Sequence, residues 1–190
     1  MALEFEGFKY LPKVVVFDLD YTLWPLYVDC LSGPPFRLVN HVVTDRSGDR
    51  VKFYKDVPLI IHSLKRNGIK VGIASRTGAI SWAEQIIQLI PLPLIQEDEV
   101  PKSEIYSKTL KDIVDVVEIY PTSKIRHIKQ IAKRLNINLN EILFFDDETR
   151  NIRDLKSIGV TSIFVDDGMS IKVLHEGLRE FNKNMNNYYS

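Results

Sequence analysis

Short runs that are apolar at every position alternate with longer stretches that are apolar at every third or fourth position along this chain. The first kind predicts strands covered on both faces, the second helices with one buried side. Residues 14–17 form the clearest apolar run, with Lys13 at its exposed start, and residues 69–74, 142–145 and 160–165 repeat the pattern. Helices are predicted from Val57 through Leu64 with a stop at Asn67-Gly68, over 80–89 with a stop near Pro91, over 125–135 with Asn136 as the stop, over 151–158 before Gly159, and over 171–181. Strand and helix in this repeated order predict an α/β fold with a parallel sheet and helices on both faces.

Three stretches break the alternation. Residues 28–56 are polar and turn-prone, and 42–45 and 51–54 read as a small hairpin insertion too short to be a domain. Residues 94–95 fit a short strand, and 103–117 have helical spacing, although 116–120 fit an extended segment equally well. The Asn-rich end at 182–190 has little to bury, so it reads as a frayed tail. The expectation is one domain, with a core over about 12–181, the insertion over about 28–56 and a variable connection over about 97–118.

Composition narrows the function classes. Of 190 residues, 25 are Lys or Arg and 25 Asp or Glu, so no net field draws the chain towards nucleic acid or an anionic membrane. No apolar run reaches membrane-spanning length, and the first 13 residues lack the basic start and apolar centre of a signal peptide. The single cysteine, Cys30, cannot make an internal disulfide and suits a reducing compartment. The expected setting is cytoplasmic, with the nucleus left open and a monomer as the default.

Candidate chemistry collects where the apolar runs end, the edge at which open α/β sheets bind ligands. Asp18 and Asp20 follow the first run, and Asp146 and Asp147 the one ending at Phe145. Clustered carboxylates need a proton, a base or a cation to persist, and oxygen donors without nearby His or Cys favour Mg²⁺ over zinc. One of Asp18 and Asp20 can attack phosphorus while the other serves as acid and base, but spacing alone leaves the roles unassigned. Ser75 and Thr77, in Ser75-Arg76-Thr77-Gly78, suit either a phosphoryl oxygen or the capping of the next helix. Arg76 is open to substrate binding or a surface ion pair. Lys124, after Pro121-Thr122-Ser123, is placed to neutralise a carboxylate and a phosphate, with Lys102 as its competitor. Leu19 is expected in the core, and Tyr21 and Trp24 either wall the pocket or pack inside.

The run Phe17-Asp18-Leu19-Asp20-Tyr21-Thr22-Leu23-Trp24-Pro25, with Ala74-Ser75-Arg76-Thr77, Tyr120-Pro121-Thr122-Ser123-Lys124 and Phe144-Phe145-Asp146-Asp147-Glu148-Thr149-Arg150-Asn151, resembles the haloacid dehalogenase superfamily, in particular the eukaryotic magnesium-dependent phosphatase-1 proteins. The resemblance spans residue 12 to about 181. It implies a Rossmann-like three-layer α/β/α fold without a large cap, and a Mg²⁺-dependent phosphomonoesterase with an aspartyl-phosphate intermediate. Asp18 is then nucleophile and metal ligand, and Asp20 the acid and base that also lends its carbonyl to the metal. Ser75 holds the phosphoryl group, Lys124 balances charge, Asp147 is a direct metal ligand and Asp146 supports it. The implied substrates are phosphotyrosine, aryl phosphates and sugar or fructosamine phosphates. A non-catalytic phosphate- or protein-binding domain on the same fold is the competing reading, although it leaves this set of residues without a purpose.

Overall fold

A computed structural model describes residue 3, residues 5–93 and residues 106–189. The chain runs β1 (Val14–Phe17), β2 (Arg37–Val39), β3 (Val42–Thr44), β4 (Arg50–Val51), α1 (Val57–Arg66), β5 (Lys70–Ser75), α2 (Ile80–Leu89), α3 (Leu110–Ile113), β6 (Val116–Ile119), α4 (Lys124–Leu135), β7 (Ile142–Asp146), α5 (Thr149–Lys156), β8 (Thr161–Phe164) and α6 (Ile171–Tyr189). The main sheet has the order β6-β5-β1-β7-β8, and every neighbouring pair is parallel. β1 lies at its centre, with Phe17 opposite Ile73 on one side and Phe145 on the other.

Successive strand side chains point to opposite faces, and each face carries its own apolar layer. Val15, Phe17, Ile73 and Phe145 pack with Ile60 and Ile61 of α1, Ile86 of α2 and Leu178 and Phe181 of α6. Val14, Val16 and Phe144 pack on the other side with Ile128 and Ile131 of α4 and Leu155 of α5. This is the expected three-layer α/β/α arrangement with a small antiparallel insertion. Close approach of α6 to the sheet depends on Gly177, where an added Cβ would lie 2.5 Å from the Phe145 ring.

Several boundaries follow the sequence signals. α1 and α2 cover the expected residues, and Asn136 ends α4 in the left-handed conformation with φ 53°. Other elements differ. The insertion has three strands in the order β2-β3-β4, with Val43 opposite Val51 and Thr44 opposite Arg50. β2 carries no sequence signal, because all three of its residues are exposed and no alternation marks it. In the 103–117 stretch the described part holds only the single turn α3, and the extended alternative at 116–120 is realised as β6. The expected strand at 94–95, Lys102 and residues 97–105 of the variable connection lie outside the described residues.

The expected frayed tail is instead the end of α6, which continues to Tyr189. Met185 is buried, Asn182 Oδ1 accepts from the Tyr10 amide at 3.0 Å, Asn184 donates to Thr161 Oγ1 at 3.0 Å, and Tyr189 stacks on Tyr10. These tertiary contacts override the low helix propensity of asparagine.

Candidate active site

The parallel order of the strands brings their C-terminal ends to one edge, and four chain segments meet there. β1 delivers Asp18 and, through a tight turn, Asp20; β5 delivers Ser75; β7 delivers Asp146 and Asp147; and Lys124 opens α4. Ser123 caps that helix by accepting from the Ile125 amide at 3.3 Å, which fixes where the lysine side chain starts.

Lys124 is fully buried and crosses beneath the strand ends. Its ammonium donates to Asp18 Oδ1 at 2.5 Å and to the Ala74 carbonyl, and pairs with Asp146 Oδ2 at 2.9 Å. Three donors thus meet three acceptors from β1, β5 and β7. Burial works against the lysine's charge, but Asp18 and Asp146 more than offset it and hold its pKa above the ordinary value. Burial drives Asp18 up to about 8 with Asp146 adding to the shift, while Lys124 opposes it.

Asp146 is the more heavily committed carboxylate of its pair. Asn151 Nδ2 donates to both of its oxygens, at 2.9 and 3.0 Å, and the Glu148 amide donates to Oδ1 at 2.7 Å. Asp147 is half-buried and lines the cavity. Its carboxyl is pushed up to about 6, by burial first and then by Asp146. Asp18, Asp146 and Asp147 each offer an oxygen within 4.8 Å of the others. This hard, all-oxygen cluster at a partly exposed position suits Mg²⁺, which keeps water among its ligands.

Asp20 is buried. Its Oδ1 accepts from the Trp24 indole at 2.8 Å and its Oδ2 from the Val28 amide at 3.2 Å. Burial raises its pKa to about 6 against the pull of these two donors. Leu19, between the two aspartates, is fully buried as expected. Trp24 is in the core as well, whereas Tyr21 remains exposed and meets Tyr27 edge to face at 4.6 Å.

Ser75 and Thr77 line the same cavity, of about 190 Å³. Neither is the cap of α2: that position is Ala79, and the two side chains instead accept from the Thr77 and Ala79 amides within the turn. Arg76 lines the cavity and is paired with Glu148 at 2.9 Å and Asn151 at 3.2 Å, the ion pair being one of its two expected roles. His127, unremarked in the sequence, is fully buried below this turn, with Nε2 2.9 Å from the Ser75 carbonyl.

Sequence reasoning missed four further lining residues: Tyr27, Asp29, Glu148 and Asn151. Asn151 stands three residues beyond Glu148, in the first turn of α5, a spacing that could have marked it as a carboxylate partner. Tyr27 and Asp29 carry no such signal, because only the fold of the insertion brings them to the mouth.

A parallel sheet with carboxylates at two strand exits, bridged by a buried lysine beside a hydroxyl turn, is the arrangement that the resemblance to haloacid dehalogenase-superfamily phosphatases implies. The acid phosphatase family profile matches residues 10–184. Human magnesium-dependent phosphatase 1 is 38% identical over 174 residues, covering 91% of this chain and 89% of that protein. A haloacid dehalogenase-like hydrolase superfamily protein of Schizosaccharomyces pombe is 37% identical over 153 residues, covering 79% and 83%. Among solved structures, the N-terminal part of a Bacteroides fragilis protein containing a phosphatase domain, complexed with Mg, superposes with a TM-score of 0.61 at 19% identity, over 93% of this chain and 42% of that one. The 3-deoxy-D-manno-octulosonate 8-phosphate phosphatase of Moraxella catarrhalis gives 0.50 at 15% identity, over 93% and 89%. At these identities the two structures show the shared fold. The chain belongs to the acid phosphatase family of the haloacid dehalogenase superfamily, and it is a magnesium-dependent phosphatase.

Proposed function

We propose that this enzyme hydrolyses small phosphomonoesters, aryl phosphates and phosphotyrosine foremost, through a phosphorylated Asp18. The observation that carries this reading is the bridge of Lys124 to Asp18 and Asp146, with Asp20 and the Ser75 turn around the same cavity. Asp18 attacks phosphorus and the bond to the leaving oxygen breaks, while Asp20 passes its proton to that oxygen. Water then attacks the phosphorylated Asp18, gives its proton to Asp20, and the bond between phosphorus and the Asp18 oxygen breaks to release phosphate.

Ser75, Thr77 and the amides of their turn hold the non-reacting phosphoryl oxygens, and Lys124 balances the charge of Asp18. Asp18, Asp147 and the Asp20 carbonyl would hold Mg²⁺, with Asp146 in support; when bound, the ion supplies positive charge to the carboxylates and the phosphoryl group. Arg76 contacts the substrate at the mouth.

With the phosphoryl group held between Asp18 and the Ser75 turn, the rest of the ester extends towards the cavity mouth. There Tyr27, edge to face with the exposed Tyr21, presents aromatic surface to an aryl group. Sugar and fructosamine phosphates are the second group to examine. The free, exposed Cys30 suits a reducing, cytoplasmic setting.

The test is phosphate release, with and without Mg²⁺, across aryl phosphates, a phosphotyrosine peptide and sugar phosphates. Release that requires Mg²⁺ and is fastest for aryl esters supports the assignment. No Mg²⁺-dependent release from any ester would overturn it.

A further inference from the structure

The turn between Asp18 and Val28 is strained, and it holds a buried indole that the reaction above does not use. Tyr21 adopts φ 52°, a left-handed conformation that a residue with a Cβ keeps only where its surroundings enforce it. The enforcement is visible. The amides of Thr22, Leu23 and Trp24 all turn back to the Leu19 carbonyl, at 3.3, 2.8 and 3.4 Å, and the side chains of Leu19, Leu23 and Trp24 are fully buried.

This folding-back has one polar consequence. It aims the Trp24 indole N–H at Asp20 Oδ1, 2.8 Å away, while the Val28 amide reaches Oδ2 at 3.2 Å. A donor on each oxygen, both from the same turn, leaves the carboxyl one orientation out of the several an aspartate otherwise samples. Apolar packing alone does not require that N–H, since a phenylalanine or leucine would also fill a core.

We propose that Trp24 is a positioning residue for the acid and base of this enzyme, its indole N–H holding the Asp20 carboxyl in line with the leaving-group oxygen. The inference deepens the assignment of Asp20 above and rests on it. A positioned acid accelerates ester cleavage by roughly 10²–10⁴-fold, and the gain is greatest where the departing oxygen most needs a proton. Trp24 therefore governs how steeply the rate depends on the leaving group, without touching the substrate.

The experiment replaces Trp24 with 3-benzothienylalanine, which keeps the bicyclic shape and removes the N–H, with Trp24→Phe in parallel. kcat/KM is measured with Mg²⁺ for phenyl, 4-nitrophenyl and 2,4-dinitrophenyl phosphate. The expected result is a fall of about tenfold or more for phenyl phosphate and about twofold or less for the dinitrophenyl ester, which departs without a proton. An equal fall for all three esters, or no fall, would overturn the proposal. Asp20→Asn, run alongside, is expected to steepen the same dependence further; a flat response there sinks the assignment of Asp20 itself. The indole N–H resonances give an independent readout: that of Trp24 is expected to shift in Asp20→Asn while that of Trp82, on α2 and edge to face with Phe36, stays, and an unmoved Trp24 signal counts against the pairing.

Discussion

Two buried aspartates organise two parts of this molecule and are satisfied in opposite ways. At the sheet edge Asp18 meets the ammonium of Lys124, and burial together with its acidic neighbours drives its pKa up to about 8. In the insertion Asp45 meets no cation among the described residues: the amides of Ser32, Ser47 and Asp49 donate to it at 2.7, 2.9 and 2.9 Å. Burial pushes Asp45 up too, but those backbone donors outweigh it and hold the carboxyl below its usual range. Backbone amides cannot leave, so the second carboxylate is locked as a structural group. A carboxylate balanced by a side-chain ammonium, by contrast, can exchange partners with a phosphoryl group or a divalent cation.

The contrast breaks most completely at the nucleophile. Asp18→Asn is expected to lower kcat by about a thousandfold or more with the fold retained, measured by phosphate release beside circular dichroism. Retained turnover would remove Asp18 from the mechanism. Lys124→Met leaves Asp18 and Asp146 buried without their cation. A loss of about 3–5 kcal/mol in urea unfolding, along with activity, is the expected outcome.

Mg²⁺ sharpens the comparison from the other side, because a ligand bound by the native state alone raises stability by about 2.7 kcal/mol at a hundred times its Kd. That stabilisation, read as a rise in Tm, is expected to shrink in Asp147→Asn and to persist in Asp45→Asn. Asp45→Asn should cost about 1–3 kcal/mol at neutral pH, since it weakens charge-assisted bonds to three amides while leaving the catalytic groups in place. Its folded pKa lies below the unfolded value of about 3.9, so this contribution is present above that pH and is lost as pH falls through the folded pKa. Unfolding curves of the parent and the variant should accordingly converge under acid; a gap that stays constant below pH 4 would show that the charge plays no part. The smallest effect is expected at the rim, where Tyr27→Ala raises KM for aryl phosphates by a factor corresponding to about 1 kcal/mol and leaves kcat unchanged.

The same contrast separates what was legible in the chain from what was not. Asp18, Asp20, Asp146 and Asp147 could be found because each follows an apolar run, and a buried parallel strand can present such residues only at its end. Ser75 stood out for the same reason. Asp45 was invisible as an organiser, since an aspartate among Arg46, Ser47, Gly48 and Asp49 looks like any turn residue until three amides converge on it. Trp24 was open to either a pocket wall or the core, and only the folded turn shows its ring buried and its N–H on Asp20.

The sequence by itself determined the parallel α/β architecture and the strand exits that carry the carboxylates, because period and strand-end position are local properties of a chain. Tertiary structure decided the rest. It brought Lys124 across 106 residues to Asp18, set Tyr27 and Asp29 at the mouth, and bound the Asn-rich end of α6 to the sheet. Those pairings depend on which distant segments share a neighbourhood, and burial there changes what a charged group costs and therefore what it can do.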